Sequence, residues 1–528
     1  YGDSTGGVLN VQTRDGSRER MFGRANVAAT GLSYTGEGPI GHSRNLSWLG
    51  SFRESYADWL IERLADDPMT AVALGFTDAF LKLSYAPSDR HRFSVTAMGG
   101  NSRANRERER EALGVNSLLT ADQRTRILNA QWRWIGSRAI STTEVYYSRG
   151  TGENHNVGGE LLFLATARES ALRNDTTYQL GRGHTLQAGL FLRQRTEDAL
   201  RRRFSTASGF IPTDEFAAEA GQPGYYVEDT WSPRRSVTLT LGGRVDEYSP
   251  NQDRVVLPRA NVSFNPHPRL TISAGWGQYA QFPDLASLYG EFGRPDLGAP
   301  RSMQSVIAIE HRVSERSRLR VEVYDKEEHS VLFSEETEPR LVNGAVTFPA
   351  KSPVLRNTLR GYSRGIEVYF QRRSANRLSG WISYALGFTH FRDDRTGLDF
   401  DGDFDQRHTV NLYGSYRVSR SLNLSLKFRY GSNFPAIGFL AYSGSTLVLA
   451  AERNQVRLPQ YVRLDVRANR AFHFDSWKMT LYMEVSNALK RHNVRFSDLD
   501  RINSSGRVLY FRENLLPLLP SIGISVEF

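Results

Sequence analysis

The chain of 528 residues contains no cysteine, which excludes a disulfide framework and a thiolate metal site. Long apolar runs are missing as well. The uncharged window from Gly431 to Ala451 carries Pro435 and several Gly, Ser and Thr, so it suits a loop and not a membrane-spanning helix. There is no P-loop and no His-Glu-x-x-His, and the 11 histidines are scattered singly; no residue is nominated as catalytic or as a metal ligand, and no cofactor is implied. The excess positive charge is not gathered on one segment. The 67 Lys+Arg and 57 Asp+Glu are largely interleaved, whereas a nucleic-acid protein more often concentrates its basic excess on one segment. The chain opens at Tyr1 with neither Met nor a basic-then-apolar leader, as expected of a fragment or a processed form.

What is present is alternation. With 39% hydrophobic residues and a mean hydropathy of -0.47 the chain looks soluble on average, but apolar residues dispersed at period two give membrane β-barrels the same weak signal. Val462, Leu464, Val466 and Ala468 alternate with Arg463, Asp465, Arg467 and Asn469. After His473-Phe474-Asp475-Ser476 the rhythm restarts at Trp477, Met479, Leu481, Met483 and Val485, and the last strand places Ile522, Ile524, Val526 and Phe528 on one face. Val237, Leu239 and Leu241 follow the same rule, as do Leu270, Ile272, Ala274 and Trp276.

Such segments number roughly 22, a value inside the even series of single-chain outer-membrane barrels. Tight turns rich in Gly, Pro, Asn and Ser take turns with long stretches near 56–77, 101–124, 150–170, 197–222, 280–300, 327–360, 392–406, 432–459 and 498–518. The tight turns therefore belong at one end of the body and nearly all the long loops at the other. The expected fold is all-β, a transmembrane antiparallel β-barrel. Alternation alone also permits a sandwich. Strand number, connection rhythm and aromatics near strand ends (Trp132, Trp134, Trp276, Tyr416, Tyr430, Trp477) favour the barrel, and closing the first strand onto the last removes the unpaired edges.

Several stretches then carry a family resemblance. Tyr226-Val-Glu-Asp-Thr-Trp-Ser-Pro with Leu239 to Asp246, Leu257-Pro-Arg-Ala-Asn-Val-Ser-Phe with Ile272-Ser-Ala-Gly-Trp-Gly-Gln-Tyr, Gly361-Tyr-Ser-Arg-Gly-Ile-Glu-Val, Phe404-Asp-Gln-Arg-His-Thr-Val-Asn-Leu and the run from Arg463 to Phe528 resemble, in order, the strands of TonB-dependent receptors. Gly6-Gly7-Val8-Leu9-Asn10-Val11-Gln12-Thr13 looks like the last segment of that family's plug domain. The resemblance implies two parts: residues 1–16 as the C-terminal remnant of a plug, with Gly6, Gly7, Val8, Asn10, Val11 and Thr13 as its end motif, and residues 17–528 as the barrel. It further implies a Gram-negative-type outer membrane, energy-coupled import of a siderophore, vitamin, glycan or peptide, and the inner-membrane protein TonB as a partner through an upstream part. A passive channel or surface adhesin is the alternative use of the same barrel.

Candidate sites follow, each with a rival. Phe528, with Val526 and Ile524, resembles the signal read by the β-barrel assembly machinery; the rival is a plain interfacial aromatic. Arg133, Arg193, Arg320, Arg463 and Arg467 should face a polar lumen, where they either meet the plug or line an anionic path. Tyr56 and Trp59, and Phe282, Tyr289 and Phe292, are candidates for ligand contact, or for packing that keeps the outer loops folded. Between residues 393 and 405 lie six aspartates, which suit calcium chemically but lack the EF-hand spacing, so a solvated acidic loop is the expectation. The Arg/Glu run from Arg103 to Glu111 and the triplet Arg201-Arg202-Arg203 read as solvated surface, or as contacts to lipopolysaccharide phosphates and outer-membrane lipids.

Overall fold

The computed structural model describes all residues except 1, 42–43, 57–72, 335–339, 343–344, 348–352, 437–438, 444–445, 451–452, 455, 497–511 and 516. Alternating sequence becomes strand almost from end to end. The wall begins with β1 (Phe22–Ala28), β2 (Gly31–Pro39), β3 (Leu46–Ser55), β4 (Ala73–Ser88), β5 (His91–Asn105), β6 (Thr120–Ile135) and β7 (Ala139–His155). It continues through β8 (Leu161–Gly181), β9 (His184–Ser205), β10 (Gly209–Arg234), β11 (Val237–Tyr248), β12 (Asp253–His267), β13 (Leu270–Ala280), β14 (Arg301–Ser314) and β15 (Ser317–Phe333). The last group is β16 (Arg356–Ala375), β17 (Leu378–Asp393), β18 (His408–Arg417), β19 (Leu422–Gly431), β20 (Tyr461–His473), β21 (Lys478–Ser486) and β22 (Leu519–Glu527).

Each strand pairs antiparallel with its sequence neighbours, and β1 pairs with β22, so the 22 strands close into a barrel. The seam is completed by the last residue. Gly23 N–H donates to the Phe528 carbonyl at 2.8 Å and Phe528 N–H donates back at 2.9 Å. A Cβ on Gly23 would lie 2.4 Å from the Phe528 ring, so a larger residue there would make the ring shift. The short strand Asp399–Asp401 hangs on β17 beyond the wall.

The two faces follow period two. Leu81, Leu83, Val95, Leu128, Val145, Leu241, Val256, Ile307, Val323, Met483 and Ile522 are all exposed. An apolar belt of that extent marks a surface made for hydrocarbon. Rings gather along the short-turn rim: Phe93 stacks between Tyr85 and Trp132, His184 lies on Trp231 at 5.5 Å and Phe474 on Trp477 at 4.0 Å, as an interfacial girdle does. The buried apolar core lies elsewhere, beneath the long-loop rim, where Tyr248, Val255, Leu257, Phe282, Leu285 and Leu288 pack together.

Two expectations need correction. Residues 150–170 and 197–222 are not long loops: β7 and β8 leave only 156–160 between them, and β9 and β10 only 206–208. These hairpins rise past the apolar belt as continuous ladder. The long-loop rim also has tight turns at 29–30 and 249–252, so loop length varies around it.

Candidate functional site

The space enclosed by the wall is crossed by the N-terminal segment. Near the long-loop rim Asp3 pairs with Arg193 of β9 and accepts from Phe282 N–H at 2.8 Å. The side chain of Gln304 donates to the Thr5 carbonyl at 2.8 Å, and Gly2 lies on the Arg244 guanidinium, where a Cβ would clash. Residues 6–13 are exposed in the lumen. Toward the short-turn rim the segment is fixed again. Lys82 Nζ reaches Asp15 at 2.9 Å and the Thr13 carbonyl at 3.0 Å, and Ser84 donates to Asp15 at 2.8 Å. Arg14 and Ser17 N–H share Glu37, with contacts of 2.8 and 2.9 Å. Gly16 passes so close to β3 that a Cβ would sit 1.9 Å from the Trp48 carbonyl oxygen.

Burial alone would push the Asp15 carboxyl up; hydrogen bonds from Lys82 and Ser84, with the charges of Lys82 and Arg18, outweigh it and hold the group below 3.8. Of the end-motif residues, Val8 and Val11 are exposed, and Thr13 meets Lys82.

The lumen wall is polar and largely neutralised by pairing. Arg193 touches Asp3, Arg320 reaches Glu322 at 2.5 Å, Arg463 reaches Asp465 at 2.7 Å and Arg467 reaches Glu484 at 3.1 Å. Arg133 is exposed and has no ion-pair partner among the described residues. Arg467 also lies over the Tyr482 ring at 4.0 Å, and Tyr482 crosses the seam region to Asn26 at 2.9 Å. Among these arginines Arg193 is the one in contact with the N-terminal segment. Buried Arg244 and Asp246, bonded at 2.6 Å, were not singled out from sequence; their two-residue spacing on one face of β11 was the available signal.

At the mouth, Phe282 stacks on Tyr248 at 4.8 Å inside the apolar core, so it supports the loop. Tyr289 and Phe292 are exposed beside it, and Asp284 caps the short helix Leu285–Tyr289 through Ser287 N–H at 2.7 Å. Tyr56 donates to the Ala28 carbonyl at 2.6 Å and closes the β1–β2 turn. Trp59 lies outside the described residues.

The aspartates of 393–405 are only in part the solvated loop expected: Asp394, Asp399 and Asp403 are half exposed, while Asp393 and Asp405 are buried. Asp393 is fully buried and accepts from Thr396 at 2.6 Å. Asp401 meets Arg407 and Arg457, both at 3.0 Å, Asp405 also meets Arg457, and Asp403 meets Arg453 at 3.1 Å. Arg453 and Arg457, four to five dozen residues away in sequence, thus join Arg407 in pairing with these carboxylates and clasp two outer loops together. This pairing joins residues too far apart for sequence spacing to reveal. In the other charged runs, Arg103 pairs with Asp122 at 3.1 Å, Arg110 with Glu107 at 2.5 Å and Arg202 with Glu160 at 3.8 Å. Gly361-Tyr-Ser-Arg-Gly365 has the spacing of a nucleophile elbow, but it lies in mid-strand on β16, and Ser363 Oγ faces Thr389 Oγ1 at 3.1 Å. The strand-to-helix turn that such an elbow requires is not there.

A family model described as TonB dependent receptor-like, beta-barrel matches residues 6–488. The fold is similar to that of the siderophore receptor PirA from Acinetobacter baumannii, with a TM-score of 0.71 at 11% identity, covering 98% of this chain and 81% of that one. It is similar to a variant of the ferric enterobactin receptor PfeA from Pseudomonas aeruginosa (TM-score 0.72, 15% identity, 100% and 82% covered). The copper transporter OprC is similar to the same degree (0.71, 10%, 98% and 81%). At these identities the likeness is one of fold. No curated protein sequence matches the chain.

Proposed function

Because the chain belongs to the family of TonB-dependent receptor β-barrels, whose members are transporters and not enzymes, we propose that it is the outer-membrane barrel of a receptor that imports a scarce ligand into the periplasm by energy-coupled gating. The observation that carries this reading is the N-terminal segment, threaded from Asp3 near the mouth to Ser17 near the short-turn rim and tied to the wall at both ends. A wall built for a permanently open pore has no need of such a strap. Residues 1–16 are then the end of a plug and residues 17–528 its barrel; Tyr1 itself lies outside the described residues. The short-turn rim faces the periplasm, and the long loops face outside.

The ligand binds first at the mouth, where exposed Tyr289 and Phe292 offer aromatic surface, and TonB acts through the part that precedes Tyr1. A siderophore-class ligand is the first to test, since PirA and PfeA are named for such ligands. The terminal strand, with Ile524, Val526 and Phe528 on its lipid face, serves the assembly machinery.

The test is uptake of radiolabelled ferric siderophores by cells carrying the full-length gene, with and without a protonophore or a tonB deletion. Uptake that needs both the gene and the energised inner membrane supports the proposal. Uptake indifferent to the protonophore, together with a steady large conductance in planar bilayers, would make the protein a passive channel instead.

A further inference from the structure

One rung of the outer wall carries three arginines, of which only one has an ion-pair partner among the described residues. Arg126 of β6 stands directly opposite Arg149 of β7, and Arg149 directly opposite Arg168 of β8. All three share the outward register with Leu128, Ala130, Trp132 and Trp134 of β6 and with Val145 and Tyr147 of β7. Like charges facing each other across strands are destabilising, and a fourth arginine, Arg124, lies one rung further out, opposite Thr151. The nearest acids on this face relieve only one of the three, Arg168. Asp198 is held by Arg168 at 3.1 Å and Asp122 by Arg103 at 3.1 Å, and Glu153 makes no ion pair among the described residues. Arg124, Arg126 and Arg149 are exposed and likewise have no ion-pair partner among the described residues.

The height of the rung is informative. From Trp134 in the aromatic girdle to Arg126 the strand climbs about 20 Å along the barrel axis, given the usual rise and tilt. That is close to the height of an apolar belt, so the arginines sit at its far edge, where lipid headgroups lie. Directly below Arg168, in the two rungs that follow, the outer wall is indented. A recess of about 440 Å³ is lined by Val145, Ser170, Leu172, Leu192, Gln194 and Pro223. On the other side of Arg126 its rung neighbour is Gly99, where a Cβ would meet open space.

We infer that Arg124, Arg126 and Arg149 form a binding site for the phosphate groups of a multiply anionic lipid of the outer leaflet, one acyl chain of which lies in the recess between β7 and β10. Guanidinium forks match phosphate oxygens two at a time, and a headgroup with two phosphates supplies the countercharge that the rung lacks. The inference rests on the outer-membrane reading above and adds to it a fixed lipid at a named place on the wall.

The test is lipid retention by the full-length protein in detergent, followed by native mass spectrometry, with bisphosphorylated lipid A as the probe and phosphatidylethanolamine as the comparison. The wild type should keep one lipid A through washes that remove phosphatidylethanolamine. The double variant Arg126→Gln/Arg149→Gln should keep it at least about tenfold less well while still migrating as a folded, heat-modifiable barrel. Leu192→Trp, which fills the recess and leaves every arginine in place, should weaken retention too, and it serves if the double variant fails to fold. Equal retention by wild type and variants, or displacement of the lipid by millimolar inorganic phosphate alone, overturns the site. A protein that does not insert into bilayers at all would overturn the outer-membrane reading instead.

Discussion

Lys82 shows what one side chain does for the lumen. It stands between Leu81 and Leu83, so its inward register was legible from the alternation, and it is almost wholly covered by the segment it holds. Its partner Asp15 was not legible, because a short irregular stretch has no period from which to infer direction. The pair makes a pH prediction. The Asp15 carboxyl is held below its ordinary value of 3.8 in the folded protein, so its contribution to anchoring is complete above that value and lost as pH falls through the lowered one. Lys82→Ala withdraws the largest attraction but leaves the burial, so the carboxyl moves upward and the segment should come loose at a higher pH than in the wild type. A spin label on Val11→Cys reports this cleanly, since the chain has no other cysteine. Identical mobility-against-pH curves for the two proteins would refute it.

Elements behave differently according to whether they touch the apolar belt. Inside it the contrast between faces is strong, which is why the terminal strands were readable residue by residue. Above it both faces of a strand are polar: β9 presents Thr196 and Asp198 outward and Arg195 and Glu197 inward. Period two then persists in the backbone without contrast in the side chains, and residues 197–222 look like loop while they are ladder. The acidic stretch fails for another reason, since its partners lie on a different loop. Arg457 is the test of that clasp. Asp405 is almost completely buried, and removing one partner of a buried pair costs roughly 3–5 kcal/mol; Arg407 stays near at 3.3 Å, so Arg457→Ala should fall toward the lower end. Hydrogen exchange should show lost protection at 399–407 with β17 and β18 unchanged. Arg453→Ala, whose partner Asp403 is half exposed but whose guanidinium also lies over the Phe333 and Phe400 rings, should cost less than Arg457→Ala. At the seam, Phe528→Ala keeps both backbone bonds to Gly23 and removes only the ring. If the ring is part of the assembly signal, folded protein in the outer membrane should drop several-fold while refolding in detergent is unaffected; a parallel loss in both would make it a structural aromatic only.

The whole molecule has two tiers of cohesion. Its wall is a closed ladder in which every strand has two neighbours, and no edge is left from which unzipping can begin. The strap inside has no ladder: Val8, Leu9 and Val11 are exposed, so little apolar burial holds it, and its attachments are ion pairs and hydrogen bonds in a water-accessible lumen, each worth little alone. Denaturant should therefore release the strap well before it opens the wall. This predicts that a thiol-reactive probe on Val8→Cys, in the full-length protein, becomes fully reactive at urea concentrations where the barrel still resists unfolding in SDS without heating. It also predicts that added salt advances the first transition and leaves the second in place, because screening reaches the ion pairs and not the backbone ladder. A single transition for both probes would mean that wall and strap are one cooperative unit, and a gate that opens by pulling on the strap would then have to disrupt the barrel each time. Two transitions are what a gated pore requires: a partition soft enough to be moved, inside a wall that does not notice the movement.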